Sequence, residues 1–158
     1  MIHLVVSMTA DHVIGRDGDQ PWYIKEDLEH FKQLTQGHTI IVGRRTLETP
    51  ALSRPLPNRH TIIVSDTPVT IPNATVCSSI PEALKVAQAF GTEIFVIGGR
   101  SIYEQLLPLA NVLHISWVKR AYAGNVYFPT YNEHEWQLEE SKDFAEFTYK
   151  KYQRKISS

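Results

Sequence analysis

Apolar residues along the chain fall mostly in short consecutive runs, not in alternation with polar ones. Residues 2–6, 39–42, 61–65, 74–76, 94–97 and 112–118 are runs of this kind, rich in Val, Ile and Leu. Strands buried on both faces read this way, as in a mainly parallel sheet. Helix-like stretches lie between them at 24–35, roughly 44–48, 80–90 and 101–107, and Pro81 suits a first helical turn. Such alternation predicts α/β architecture with crossover connections. The last quarter differs: residues 136–140 and 147–153 are strand-like with no helix between them, which predicts an antiparallel hairpin. The expectation is one domain over residues 1–158. Its sheet is mixed, mostly parallel and about eight-stranded, with about four flanking helices and the C-terminal hairpin at one edge.

Composition narrows the class without deciding the chemistry. The 158 residues carry 16 Lys+Arg against 17 Asp+Glu, so neither a nucleic-acid surface nor a polybasic membrane surface is expected. Cys77 is the only cysteine, which leaves no intrachain disulfide and no cysteine-based zinc site. Apolar runs reach about four residues, as at 94–97, against the roughly 20 a membrane helix needs. The opening Met1-Ile2-His3-Leu4 has no secretory pattern. A cytoplasmic, soluble protein without a metal is expected.

One carboxylate stands out. In residues 24–34 the apolar stripe is Ile24, Leu28, Phe31 and Leu34. Asp27 lies three residues after Ile24 and four before Phe31, so it projects with that stripe. An ionised carboxylate among apolar neighbours is costly unless something donates to it. Either backbone amides of the first helical turn satisfy it, or it lines a pocket that takes a cationic or donor-rich ligand. Trp22, just after Pro21, adds an aromatic ring with one N–H donor.

Two strand ends look receptive to anions. Ile40-Ile41-Val42-Gly43-Arg44-Arg45-Thr46 runs from a strand through glycine into a helix start, with two arginines adding positive charge. The alternative there is a solvated basic turn. Ile94-Phe95-Val96-Ile97-Gly98-Gly99-Arg100-Ser101 repeats the pattern with paired glycines that permit close ligand approach or simply a tight turn. Neither G-x-G-x-x-G nor the phosphate loop G-x-x-x-x-G-K-[ST] occurs. A phosphorylated nucleotide cofactor plus a flat heterocyclic ligand would use all three features.

With these features in view, the chain resembles the dihydrofolate reductase family along essentially its whole length. The matching stretches are Val13-Ile14-Gly15, Pro21-Trp22, Asp27-Leu28 with Phe31-Lys32, residues 42–46, residues 54–59, Ile97-Gly98-Gly99 with Ile102-Tyr103, and Tyr127-Phe128-Pro129, in the family's order and spacing. The resemblance implies a bacterial-type, monomeric enzyme that reduces 7,8-dihydrofolate with NADPH and binds antifolate inhibitors. It implies that Asp27 accepts hydrogen bonds from the pterin, with Trp22 and Ser116 holding an ordered water and the carboxylate. Val5, Val6, Leu28, Phe31, Leu52, Arg54, Leu56 and Ile97 would line the substrate, and Arg59 would clamp its glutamate carboxylate. Val6, Ser7, Ile14, Gly15, Ile97 and Tyr103 would surround the nicotinamide. Gly98 and Gly99, a cis-linked pair in the family, would lie at the pyrophosphate with Arg100, Ser101 and Ile102. Gly43, Arg44, Arg45 and Thr46 would hold the adenosine-side phosphates, and Ser65 would help with the 2′-phosphate. Departures from the family pattern are Gln20 before Pro21, Leu47 in place of an aromatic, an unusual segment 49–53, Asp66 beside Ser65, and Asn125 in place of an aspartate. A related riboflavin-pathway reductase, or a non-catalytic nucleotide- or folate-binding module, are the alternatives.

Overall fold

The computed structural model describes residues 1–16, 20–47 and 57–156. The chain runs β1 (Ile2–Thr9), β2 (Val13–Gly15), α1 (Lys25–Thr35), β3 (Thr39–Gly43), α2 (Arg44–Leu47), β4 (His60–Val64), β5 (Ala74–Cys77) and α3 (Ile80–Ala89). It continues through β6 (Ile94–Val96), α4 (Arg100–Leu106), β7 (Val112–Val118), β8 (Val126–Tyr127), β9 (Trp136–Asp143) and β10 (Phe147–Arg154). Eight strands form one sheet in the order β5-β4-β3-β6-β1-β7-β10-β9. Pairing is parallel from β5 to β7, and antiparallel where β10 meets β7 and β9.

The consecutive apolar runs are explained by cover on both faces. Leu4, Ile41, Ile62 and Val96 join a core with Ala83 and Ala87 of α3 and Ile102 and Leu106 of α4. Their strand neighbours Ile40, Val42 and Ile63 form a separate cluster against Phe31 of α1. Side chains alternate along a strand, so a strand with a helix on each side needs apolar residues at every position. The start of α3 is capped as its sequence indicates: Ser79 Oγ accepts from the Glu82 amide at 3.3 Å, with Pro81 in the first turn.

The elements correspond to those expected, with differences at their ends. β1 continues to Thr9 because Ser7, Met8 and Thr9 pair with Ser116, Trp117 and Val118 of β7. α4 begins at Arg100, one residue early, and passes into a 3-10 turn at Leu107–Leu109. β9 and β10 run on to Asp143 and Arg154. Glu48 and the segment 49–53 lie outside the described residues.

The two-stranded ribbon of β2 and β8 was not expected, since strands of three and two residues carry no readable period. Gly124 lies flat against it: a Cβ there would come within 2.4 Å of Val13 and 2.5 Å of the Gly15 carbonyl. Only glycine lets the 120–125 segment pass this close to β2. No helix among the described residues is long and apolar enough to cross a membrane.

Candidate active site

Asp27 lies in the first turn of α1 and points at the sheet. The residue before the helix, Ile24, supplies no side-chain cap. Beneath the helix, Ser7 on β1 and Ser116 on β7 are register partners on neighbouring parallel strands. Ser116 Oγ donates to Asp27 Oδ1 at 2.6 Å. Ser7 Oγ accepts the Trp22 Nε1–H at 3.0 Å. The carboxylate is therefore met by the Ser116 hydroxyl, with that of Ser7 on the neighbouring strand beside it. Burial pushes its pKa upward, and the two serines and the nearby His30 oppose that rise.

The apolar stripe of α1 is only partly covered. Ile24 is buried, whereas Leu28, Phe31 and Leu34 are half-buried. A helix of a closed core would bury all four, so this stripe forms the wall of a cleft with Asp27 at one end. Arg59 stands at the other end. Its Nε donates to Thr35 Oγ1 at 3.0 Å, and its Nη1 and Nη2 donate to the carbonyls of Pro57 and Lys32. Among the described residues, three of its five N–H groups are used this way, which leaves one on each terminal nitrogen. From Asp27 to residues 32–35 is roughly 10 Å along the helix axis, at 1.5 Å per residue. Leu52, Arg54 and Leu56 lie outside the described residues.

On the other side of Asp27, β3 and β6 end next to each other. The Gly43 amide donates to the Gly98 carbonyl at 2.8 Å, and the Gly98–Gly99 peptide is cis. Cβ atoms at Gly43 and Gly99 would come within 3.2 Å of Ile102 and 3.3 Å of Thr46 Oγ1, so the two turns meet with backbone exposed and no side chain between them. Arg44 and Arg45 open α2 and Arg100 opens α4, so three cations flank this meeting point. Backbone and arginine donors around a glycine-lined gap fit a diphosphate.

Tyr103 closes the gap from below, donating its hydroxyl to the Val5 carbonyl at 2.6 Å. Burial raises its pKa, so it stays a neutral donor. Val6 and Ser7 are buried, while Val5, Ile14 and Ile97 are half-buried. Other residues of the expected cofactor set also bond within the chain. Arg100 Nη1 donates to the Tyr127 carbonyl at 2.7 Å, and Ser65 Oγ donates to the Thr67 carbonyl at 2.8 Å. Ser101 Oγ accepts from Gln105 at 3.2 Å.

Two sets of contacts near the site are not predicted by the sequence. His30 is half-buried and its ring lies 4.2 Å from that of Tyr149, so β10 reaches the Asp27 neighbourhood. A buried chain then continues: His114 Nδ1 meets the Tyr149 hydroxyl at 2.8 Å, and His114 Nε2 meets His3 Nδ1 at 2.9 Å. The signal was present in part, because His3 and Ser7 on β1, and His114 and Ser116 on β7, have matching parity. What parity lacks is which strands lie side by side.

Comparison with known proteins gives consistent results. The profile of the family described as dihydrofolate reductase matches residues 1–157. The dihydrofolate reductase of Bacillus subtilis (strain 168) is 36% identical over 166 aligned positions, covering 100% of this chain and 97% of that protein. Dihydrofolate reductase HdrB of Haloferax volcanii is 34% identical, covering 96% of this chain and 82% of the relative. Among solved structures, a dihydrofolate reductase from Enterococcus faecalis complexed with NADP(H) and RAB-propyl superposes with a TM-score of 0.88 at 27% identity. That match covers 99% of this chain and 97% of the other.

Proposed function

The chain belongs to the dihydrofolate reductase family, and from that premise we propose that Asp27 is the side chain on which its reaction turns. The protein is an oxidoreductase that reduces 7,8-dihydrofolate to 5,6,7,8-tetrahydrofolate with NADPH. When bound, NADPH supplies the hydride that reaches C6 of the pterin. The proton goes to N5. The observation that carries this reading is a carboxylate on an apolar helix wall, half-buried and bonded to the Ser116 hydroxyl with Ser7 beside it.

Asp27 has lone pairs left after those bonds, and these accept the pterin 2-amino group and N3–H. A half-buried negative charge beside the ring raises the proton affinity of N5, and water delivers the proton. Leu28 and Phe31 exclude water from the ring faces. Arg59 takes the glutamate α-carboxylate with its two remaining N–H groups, a planar fork already aimed by its bonds to α1. The turns at Gly43–Thr46 and Gly98–Ser101 hold the cofactor phosphates, and Val6, Ile14, Ile97 and Tyr103 shape the nicotinamide end. The proposal extends to one monomeric domain in the cytoplasm, with antifolates bound against the same carboxylate and apolar wall.

The direct test mixes protein, NADPH and dihydrofolate and follows the nicotinamide absorbance. Decay that needs both small molecules is expected. Its absence would favour a non-catalytic binding module, and decay without selectivity for dihydrofolate would favour a riboflavin-pathway reductase. A narrower test is Arg59→Lys. A point-charge ammonium cannot replace the fork, so folate affinity in a fluorescence titration should fall about tenfold or more. Unchanged affinity would remove Arg59 from the site.

A further inference from the structure

We propose that Ser7 is a positioning residue for this reaction: its hydroxyl joins the Trp22 indole to the Asp27 carboxylate and holds both in place for the pterin. The inference rests on the reading of Asp27 given above. It also differs from the cofactor-side role that the family resemblance implies for Ser7.

An indole N–H only donates, and an ionised carboxylate only accepts. A hydroxyl does both, so it can stand between them. Trp22 Nε1 donates to Ser7 Oγ at 3.0 Å, and Ser7 is the register partner of Ser116, which donates to Asp27 at 2.6 Å, so the Ser7 proton is left to face the same carboxylate. The chain then runs Trp22 to Ser7 to Asp27.

Burial makes the arrangement matter. Trp22 is 7% exposed and Ser7 8%. Without the Ser7 hydroxyl, the indole N–H and one side of the carboxylate would both lose a partner away from bulk water, which is costly. The sheet supplies the rigidity. Ser7 and Ser116 are register partners on β1 and β7, and both face the same carboxylate from below. Two hydroxyls on adjacent central strands constrain a side chain more tightly than either alone.

Ser7 also acts on the charge of Asp27. A donor to the ionised form favours that form. Among the described residues, the other titratable groups facing Asp27 are His30 on its own helix, with Lys142 and Glu140 of β9 acting on His30, and Tyr103 of α4. None of these changes when Ser7 is replaced, so a moved titration reports the hydroxyl.

The test compares Ser7→Thr with Ser7→Val, which match in shape and differ only in the hydroxyl, with Ser7→Ala as a smaller variant for the case that Val does not fold. Turnover is measured from pH 5 to 9. Removing the hydroxyl should move the midpoint of the pH–rate profile upward by about half a unit or more, and Thr should restore it. Trp22→Phe should also cost less in the Ser7→Ala background than in the parent, because the two residues act through one chain. The apo protein supplies a readout free of turnover. The Asp27 carboxyl stretch, assigned in the infrared by its loss in Asp27→Asn, should titrate at higher pH in Ser7→Val or Ser7→Ala.

An unmoved infrared titration together with additive Ser7 and Trp22 effects would overturn the proposal, and so would a Thr variant no better than Ala. Failure of the underlying reading looks different. The parent protein would not turn over at all, while the infrared titration would still report the link between Ser7 and Asp27.

Discussion

Asp27→Asn is expected to lower turnover at neutral pH by about 10²–10³-fold, in the range by which proton-transfer assistance accelerates reactions. The amide keeps the shape of the carboxylate but not its charge, so it cannot favour a proton at N5. Activity should recover in part toward acid pH, where the substrate carries more of that proton by itself. Stability should move the other way. Burial raises the pKa of Asp27 from its ordinary 3.8. The folded state thus binds that proton more tightly than the unfolded chain, and stability falls as pH rises through the folded pKa. At pH 7 the charge is a net cost to the fold, so the neutral Asn should leave the unfolding midpoint unchanged or slightly higher. Lost activity with retained stability separates a functional carboxylate from a structural one. Steady-state rates from pH 5 to 9, with urea unfolding at pH 7, decide it. Parent-like turnover at neutral pH would end the mechanism.

The second large effect concerns acid stability and originates on the same face of the sheet. Burial pushes the pKa of His114 from 6.5 down to about 3. Its neighbour His3, bonded to it at 2.9 Å, moves in the same direction for the same reason. The sign follows from linkage. Below about pH 6.5 the unfolded chain takes up the His114 proton and the folded protein does not. Stability therefore falls as pH drops from 6.5 toward 3, by up to about 1.4 kcal/mol per pH unit. Asp27, whose pKa moves upward, opposes this over the lower part of the window. His114→Gln should be less stable than the parent at pH 7, because the bonds to His3 and Tyr149 are disturbed. Its stability should nevertheless change less between pH 6.5 and 4.5. Urea midpoints at four or five pH values measure the two slopes. Parallel slopes would mean that His114 is not held neutral in the fold.

Much of this architecture was written in local pattern. Runs such as 40–42 and 94–97 are apolar at every position because helices cover both sheet faces, and that cover leaves its mark on each residue separately. The helix from Lys25 to Thr35 announced itself by its stripe, and Asp27 by breaking it. A polar group at an apolar position needs a partner, and that requirement is legible without coordinates.

The identity of the partner was not legible. Ser7 and Ser116 are 109 residues apart, and they face one carboxylate only because β1 and β7 are adjacent in the sheet with one particular register. The same holds for the His3, His114 and Tyr149 chain, which needs β1, β7 and β10 in that order. The ribbon of β2 and β8 was invisible for a simpler reason, being too short to have a period.

The sequence alone thus determined the α/β class, the succession of strands and helices, and the presence of an acid where hydrocarbon belongs. These depend on the chemistry of residues three or four positions apart. The tertiary structure decided which hydroxyls hold that acid, that Arg59 is braced against the far end of the same helix, and that histidines fill the sheet beneath. Those facts depend on strand order and register, which bring distant residues into contact and are set by the packing of the whole chain.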